Sequence, residues 1–154
     1  MKEVFVLDEN VFIQSHTCKS IEKCEDDDFN SLELIIQILN RCHKIGFSSE
    51  LVTKYAEKEK MLKDGRKICV PSLKIWKSFL YRQDKQSCSE NHLNDLPTNV
   101  VHDRHVVEAA FFLSGVLVTT DGKLSDRIKD WCRANKQTLR VMSPKDAISY
   151  LKSV

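Results

Sequence analysis

Two short apolar runs, each followed by a carboxylate, constrain the fold of this chain more than any other feature. Residues 4–7 (VFVL) lead directly into Asp8, and residues 116–119 (VLVT) lead within two positions to Asp121. Runs of this length without interruption are typical of strands buried on both faces of a parallel sheet. Helical patterns lie between such runs. The sequence therefore predicts an α/β fold, a three-layer α/β/α sandwich with a central, mainly parallel twisted sheet.

The remaining elements follow from apolar spacing and from capping residues. Ser48 or Ser49 offers a cap for a middle helix, and Ser143 followed by Pro144 is typical of a helix start. We expect residues 15–28 to be a solvated connection, residues 87–100 to be a surface loop, and Gly115 to end a helix. Further short strands are predicted at 45–47 and 138–142. The predicted helices cover residues 31–44, 49–63, 71–80, 102–113, 124–134 and 145–151.

Composition limits the class of protein. A length of 154 residues predicts a single domain, 1–154, and no apolar stretch approaches the roughly 18 residues needed to span a membrane. Glu3 and Asp8 interrupt the first apolar run, which argues against a signal peptide. The six cysteines form no CxxC motif, so reduced thiols and a cytoplasmic location are predicted. The net charge of +2 is nearly balanced and indicates little about partners.

Three aspartates from distant parts of the chain are predicted to meet at one edge of the sheet. Asp8 and Asp121 follow strands, and Asp103 begins a helix that runs antiparallel to the next strand. Crowded carboxylates repel, and Mg²⁺ or Mn²⁺ is the cation that hard oxygen ligands favour. Such a site can activate water for attack on a phosphodiester. The structural alternatives are a helix cap at Asp103 and a turn at Asp121.

Three stretches of the sequence resemble a PIN domain. They are VFVLDENVFI (4–13), HDRHVVEAAFFLSGVLVTTDGKL (102–124) and LRVMSPKDAISYL (139–151). The Asp-x-Asn after the first strand, the Asp-Arg at a helix start and the Thr-x-Asp after a later strand follow the order and spacing of that family. The resemblance covers nearly the whole chain, with residues 15–30 and 64–100 the least typical.

The resemblance implies a Mg²⁺- or Mn²⁺-dependent ribonuclease. Its catalytic acids would be Asp8, Asp103 and Asp121, with Asn10 and Thr119 as polar supports. The implied products carry 5′-phosphate and 3′-hydroxyl ends. Many members are toxins paired with a small antitoxin, and others process RNA without one. RNA, an antitoxin protein and a second copy of the chain are therefore the candidate partners.

The helix after the second strand departs from the family pattern. The family usually places a Glu there, but the matching position in this chain is Lys54. Glu50 or Glu57, on about the same helix face, could supply a fourth metal ligand. The alternative is a catalytically degenerate PIN domain that acts as an RNA- or protein-binding module. A third interpretation, a doubly wound signalling domain with a phosphoryl-accepting acidic pocket, lacks its full pattern.

Positive charge is concentrated in the middle of the chain. Residues 54–85 contain ten basic and four acidic residues, against a net charge of +2 for the whole chain. Lys54, Lys58, Lys63 and Arg104 are accordingly predicted to contact RNA, although a Lys-rich solvated face is the commoner cause of such a pattern. The histidines at 102 and 105 flank Asp103 and could contact substrate, although a surface or capping role is the commoner one and is predicted for both.

Overall fold

The computed structural model describes residues 2–17, 26–65, 85–88 and 92–154. Strands and helices alternate along these residues, as predicted. The elements are β1 (Val4–Leu7), α1 (Glu9–Thr17), α2 (Asp26–Asn40), β2 (Lys44–Phe47), α3 (Ser49–Asp64), β3 (Lys85–Ser87), a 3₁₀ helix (Thr98–Asp103), α4 (Arg104–Phe112), β4 (Val116–Val118), α5 (Gly122–Ala134), β5 (Arg140–Met142) and α6 (Pro144–Ser153).

The described strands form one parallel sheet in the order β3-β2-β1-β4-β5. From β1 the chain moves outward through β2 and β3, and it then returns to place β4 and β5 on the other side. The point where the direction reverses lies between β1 and β4, at the carboxyl ends of the strands, which is where open α/β sheets bind ligands. The order differs from the 2-1-3-4-5 order typical of flavodoxin-like signalling domains.

Helices pack in two groups around this sheet. Helix α1 contacts α2 and α3, and α6 contacts α2, whereas α4 packs against β1, β2 and β4 and meets α3 at one side. Crossovers between parallel strands are almost always right-handed, so a sheet that grows in both directions from β1 receives helices on both faces. The arrangement is consistent with a three-layer α/β/α fold. None of the described helices combines the length and apolarity that a membrane span requires.

The centre of the sheet is closely packed. Phe5, Val6 and Leu7 are fully buried, which confirms the prediction from their uninterrupted apolar run. Two glycines allow neighbouring chains to approach: a Cβ at Gly46 would lie 2.7 Å from Val6 Cγ2, and one at Gly115 would lie 2.8 Å from the Val4 carbonyl oxygen. Gly115 is therefore required by packing as well as by its place after a helix.

Several element ends differ from the prediction. Helix α2 ends at Asn40 rather than near Lys44, because Cys42 adopts a left-handed conformation with φ of 57°. Helix α1, which was not predicted, extends through Thr17, and α2 begins at Asp26 rather than near Ser31, so both described ends of the expected solvated connection are helical. The rest of that connection, residues 18–25, lies outside the described residues. Within α1 His16 is fully buried, with its Nδ1 2.7 Å from the carbonyl oxygen of residue 12. The left-handed residue after α4 is Ser114, with φ of 51°, and not Gly115.

Part of the expected surface loop at 87–100 is buried against the rest of the fold. Leu96 and Val100 are buried, and the latter lies in the 3₁₀ helix, which covers the start of the predicted helix at 102. The Trp131 indole Nε1 donates to the carbonyl oxygen of Asp95 at 3.1 Å, which ties this segment to α5. The predicted helix at 71–80 lies outside the described residues.

Two predicted helix caps are confirmed. The Ser48 hydroxyl accepts from the Leu51 amide at 3.1 Å at the start of α3. The Ser143 hydroxyl accepts from the Asp146 amide at 3.1 Å, and Pro144 is the first residue of α6.

Candidate active site

Asp8 and Thr119 lie at the switch point between β1 and β4. Asp8 follows β1, is 3% exposed, and donates its backbone amide to the Val118 carbonyl at 2.9 Å. The Thr119 hydroxyl donates to Asp8 Oδ2 at 2.7 Å and accepts from the Asp121 amide at 3.1 Å. One hydroxyl thus links the residues that follow the two central strands.

The environment of Asp8 favours its neutral form. Burial raises the pKa of this carboxyl to about 7, and a hydrogen bond with Glu9 and the charges of Glu9 and Asp103 act in the same direction. The hydrogen bond from Thr119 opposes the shift but does not cancel it. Asp8 therefore exchanges its proton near neutral pH, a property common among functional carboxylates.

Glu9 is a member of this cluster that the sequence pattern did not identify. Its Oε1 lies 2.6 Å from Nε2 of His105, a residue 96 positions away. Burial acts to raise the pKa of Glu9, but hydrogen bonds with His105 and Asp8 and the charge of His105 outweigh it, and the pKa is lowered. The predicted helices do not include residues 9–17, and an acid in the first turn of a helix is common because of the helix dipole alone.

His105 is buried, contrary to the predicted surface or capping role. It is 4% exposed, and its Nδ1 lies 4.0 Å from Glu50 Oε1 on α3. Burial acts to lower its pKa, but the hydrogen bond and charge of Glu9 and the charge of Glu50 raise it overall. A buried imidazole needs a partner, and Glu9 supplies one through its contact with Nε2 of His105.

Asp103 and Asp121 approach the same edge from two further elements. Burial, the charge of Glu9 and the charge of Asp121 raise the pKa of Asp103, against the charges of His105 and His102. Asp103 makes no side-chain capping bond to α4 within the described residues, so the capping alternative is not observed. Asp121 does cap its helix: Oδ1 accepts from the amides of Lys123 at 2.9 Å and Leu124 at 3.1 Å.

The other predicted site residues divide into near and distant groups. Glu50 lies beside His105, whereas the Glu57 side chain is 59% exposed and pairs with Lys54 at 3.8 Å. The structure thus brings Glu50, and not Glu57, toward the acidic edge. Asn10 is exposed on α1, and no hydrogen bond joins it to the acids among the described residues.

The predicted RNA-binding cations are largely matched by acids. Lys63 Nζ lies 2.6 Å from Glu59, and Arg104 Nε lies 3.4 Å from Glu108. Lys58 is half-buried on the same helix as Lys63. Residues 54–64 contain four cations and three acids, so most of the positive excess lies beyond residue 65, largely outside the described residues.

The donor chemistry of the cluster suits a hard divalent cation. Its ligand atoms are carboxylate oxygens, which Mg²⁺ and Mn²⁺ prefer. Among the described residues no three His, Cys, Asp or Glu side chains are close enough to form a ready-made metal site. Mg²⁺ commonly keeps several waters and takes only one or two carboxylates from the protein, so the residues present fit that ion.

Sequence and structure comparisons give no relative. Neither the protein-family models, nor the curated proteins, nor the solved structures that were searched contain a match to this chain. The geometry of the site is therefore the basis for assigning its chemistry.

A cavity of about 260 Å³ adjoins the acids on the β4–β5 side. Thr119 and Asp121 form its border with the cluster, and Ser125, Lys129 and Ser143 line it further out. It is open to solvent and polar, and its volume is suitable for a group the size of a nucleoside. The acidic edge is therefore accessible to a substrate larger than water.

Proposed function

We propose that this protein is a divalent-metal-dependent endoribonuclease with a PIN-like site. The observation that carries the proposal is the convergence of Asp8, Asp103 and Asp121 on the switch point of a parallel sheet. They are contributed by the end of β1, the start of α4 and the start of α5. The charge of Asp103 raises the pKa of Asp8, and the charge of Asp121 raises the pKa of Asp103.

In this proposal the three aspartates hold Mg²⁺ or Mn²⁺. When bound there, the ion would supply charge neutralisation and a more acidic water for hydrolysis of a phosphodiester, so a protein nucleophile would not be needed. Thr119 fixes the orientation of Asp8, and the α5 amides fix Asp121 through Oδ1. The neighbouring cavity receives a nucleoside next to the scissile phosphate.

The test is cleavage of a labelled single-stranded RNA by wild type and Asp103→Asn, with Mg²⁺, Mn²⁺ or EDTA. Wild type should cut only with metal, and Asp103→Asn should lose at least about 100-fold in rate. Asp130→Asn is the matched control, because Asp130 is exposed on α5 and pairs with Arg133 at 3.2 Å. Equal cleavage by Asp103→Asn and wild type would refute the assignment of the site.

A second candidate is an RNA- or protein-binding module without cleavage. The observation that favours it is Lys54, whose charge acts on His105 from the helix position where the family places Glu. Such a module would bind the same RNA but leave it intact at every metal concentration.

The proposed partners follow from the enzyme class. RNA is the substrate, the location is cytoplasmic, and a small antitoxin or a second copy of the chain would regulate access to the acids. Size-exclusion chromatography with light scattering tests whether the chain forms a dimer. Co-expression with the neighbouring gene product tests whether an antitoxin binds it.

A further inference from the structure

A second cavity, of about 460 Å³, lies at the amino ends of the central strands and is open to solvent. It is lined by Lys2, Arg41, His43 and Val154, and we call it the basic cavity. Lys2 precedes β1 and His43 precedes β2, whereas Asp8 follows β1. Because a strand of this length spans about 13 Å, the basic cavity and the acidic edge lie at opposite ends of the sheet.

His43 supplies a buried hydrogen-bond donor to this cavity. Its side chain is 6% exposed, and its Nδ1 lies 3.0 Å from the backbone nitrogen of Glu3. A backbone amide can only donate, so Nδ1 accepts and the proton of the neutral ring is on Nε2. Burial lowers the pKa of His43, which favours this neutral form. Within the described residues Nε2 has no hydrogen-bond partner, so its N–H is available to a ligand.

Two cations accompany the His43 donor. Arg41 donates from Nη1 to the Leu151 carbonyl oxygen at 2.6 Å, which anchors the guanidinium to the end of α6 and leaves its other donors unused. The charges of Arg41 and Lys2 both act on His43, in the same direction as its burial. The three side chains therefore converge on one cavity although they come from two separate parts of the chain.

These two positive charges have no acidic partner in the part of the chain that the structure describes. Neither Lys2 nor Arg41 forms an ion pair with a described carboxylate. The nearby acid is Glu3, but its carboxylate is bound by Arg140 at 2.6 Å and by the Tyr150 hydroxyl at 2.9 Å. A cavity with two unpaired cations and a neutral N–H donor attracts an anion.

We propose that the basic cavity binds a dianionic phosphate group, either free phosphate or the phosphate monoester of a small molecule. A phosphate monoester carries about two negative charges at pH 7 and has three terminal oxygens, which match the two cations and the His43 donor. A carboxylate ligand has one charge and two oxygens, and it would leave one of these groups without a partner. The cavity also has room for an organic group beyond the phosphate. This site is independent of the proposed nuclease activity.

The test is calorimetry on the full chain with inorganic phosphate, AMP and adenosine as probes. EDTA is present throughout, so that no metal can bridge a nucleotide to the acidic edge. Phosphate and AMP should bind, and adenosine should bind at least about tenfold more weakly than AMP because it lacks the charged group. Tighter binding of AMP than of phosphate would assign a monoester, and equal binding would assign the free ion. Adenosine that binds as tightly as AMP refutes the proposal, and so does the absence of binding by both phosphate and AMP.

Variants of the lining residues locate the bound phosphate. Arg41→Gln and His43→Asn should each weaken AMP binding at least about fivefold, because each removes a charge or a donor from the cavity. The Asn side chain keeps an acceptor near the position of Nδ1, so His43→Asn retains the bond from the Glu3 amide. Thermal denaturation without ligand shows which variants are folded.

Lys2→Gln and Lys44→Gln form a matched pair that does not depend on the folding of the other variants. Both remove one lysine charge near His43, but Lys44 does not line the cavity. Lys2→Gln should weaken AMP binding about threefold, and Lys44→Gln should leave it nearly unchanged. Equal losses in the two variants would indicate attraction by overall charge and refute a built site. Unchanged affinity in folded His43→Asn or Arg41→Gln would also refute it.

Discussion

Two carboxyl groups at opposite ends of strand β1 have pKa values shifted in opposite directions. Glu3, just before the strand, lies 2.6 Å from the Arg140 guanidinium and accepts from the Tyr150 hydroxyl at 2.9 Å. Arg140 accordingly lowers the pKa of Glu3, although partial burial opposes it. Asp8, just after the strand, is more deeply buried among other acids, and its pKa is raised to about 7.

This difference in pKa distinguishes a structural ion pair at Glu3 from a site at Asp8 where acids outnumber cations. Glu3, Arg140 and Tyr150 join β1, β5 and α6, and the charges of this group are balanced within the protein. At the opposite edge, the charge of Glu9 raises the pKa of both Asp8 and Asp103, and the charge of Asp121 also raises that of Asp103. Such an edge is less stable than its neutral counterpart and gains free energy when it binds a cation, because binding to the native state alone is stabilising.

The largest expected effect is on catalysis. Asp8→Asn should lower the rate of metal-dependent RNA cleavage at least about 100-fold, equivalent to about 2.7 kcal/mol of barrier, because it removes a ligand charge. Glu3→Gln should change the rate less than about threefold. The measurement is single-turnover cleavage of a labelled RNA. Equal decreases in the two variants would show that the two ends do not differ in function.

The second effect is a pH dependence of stability in the metal-free protein. Because the folded pKa of Asp8 is above its unfolded value near 3.8, the native state binds the proton more tightly. Stability from this group is present at low pH and falls as pH rises toward 7, by about 1.4 kcal/mol per pH unit at most. Burial lowers the pKa of His16 and His43, which contribute the opposite slope, so urea denaturation between pH 5 and 8 measures the Asp8 decline as the difference between wild type and a variant at this position.

Asp8→Asn is the control for that decline. Its amide mimics the protonated acid, so the variant should show a smaller decrease over the same range and should match or exceed wild type at pH 8. His105, whose pKa is also raised, contributes a decline that both proteins share. Identical pH profiles for the two proteins would contradict the assignment to Asp8.

The third effect is at the opposite edge. Arg140→Met keeps part of the apolar stem but removes the partner of Glu3, and it should lower the free energy of unfolding by about 1–2 kcal/mol. Mn²⁺ affinity should stay within about twofold of wild type. Denaturation and calorimetry on one preparation measure both quantities. A weaker Mn²⁺ affinity in this variant would mean that the two edges are coupled.

The smallest effect concerns the cations of α3. Lys58→Ala/Lys63→Ala should weaken RNA binding about threefold at about 0.15 M salt, and the slope of log affinity against log salt should fall by about 0.7 for each phosphate that the variant no longer binds. Lys145→Ala/Lys152→Ala on α6 is the control. If neither affinity nor slope changes, the phosphates are bound outside α3.

The sequence predicted those parts of the fold that depend on local patterns. The apolar run at 4–7, the caps at Ser48 and Ser143 and the parallel alternation are all local, and the structure confirms them. Strand β3 has the sequence Lys-Gln-Ser, which carries no apolar signal, and its pairing with β2 depends on tertiary context. The end of α2 depends on the left-handed conformation of Cys42, which no local pattern at that position indicated.

The site was predictable only in part for the same reason. Asp8 and Asp121 follow strands, and the rule about strand ends placed them together. The pairing of Glu9 with His105 depends on how α1 meets α4, and a histidine near a helix start has many commoner roles. Asn10 was favoured by its motif, but the helix that begins at Glu9 points it to solvent.

The Thr119–Asp8 hydrogen bond also sets the order in which the site can be assembled. It connects residues 111 positions apart, and β4 must add to the edge of β1 before it can form. A growing polypeptide that has reached only β3 carries Asp8 and Glu9 but neither Asp103 nor Asp121. The site of the proposed nuclease is therefore incomplete during most of the synthesis of the chain. Its last aspartate, Asp121, is added only when nearly four-fifths of the chain has been translated.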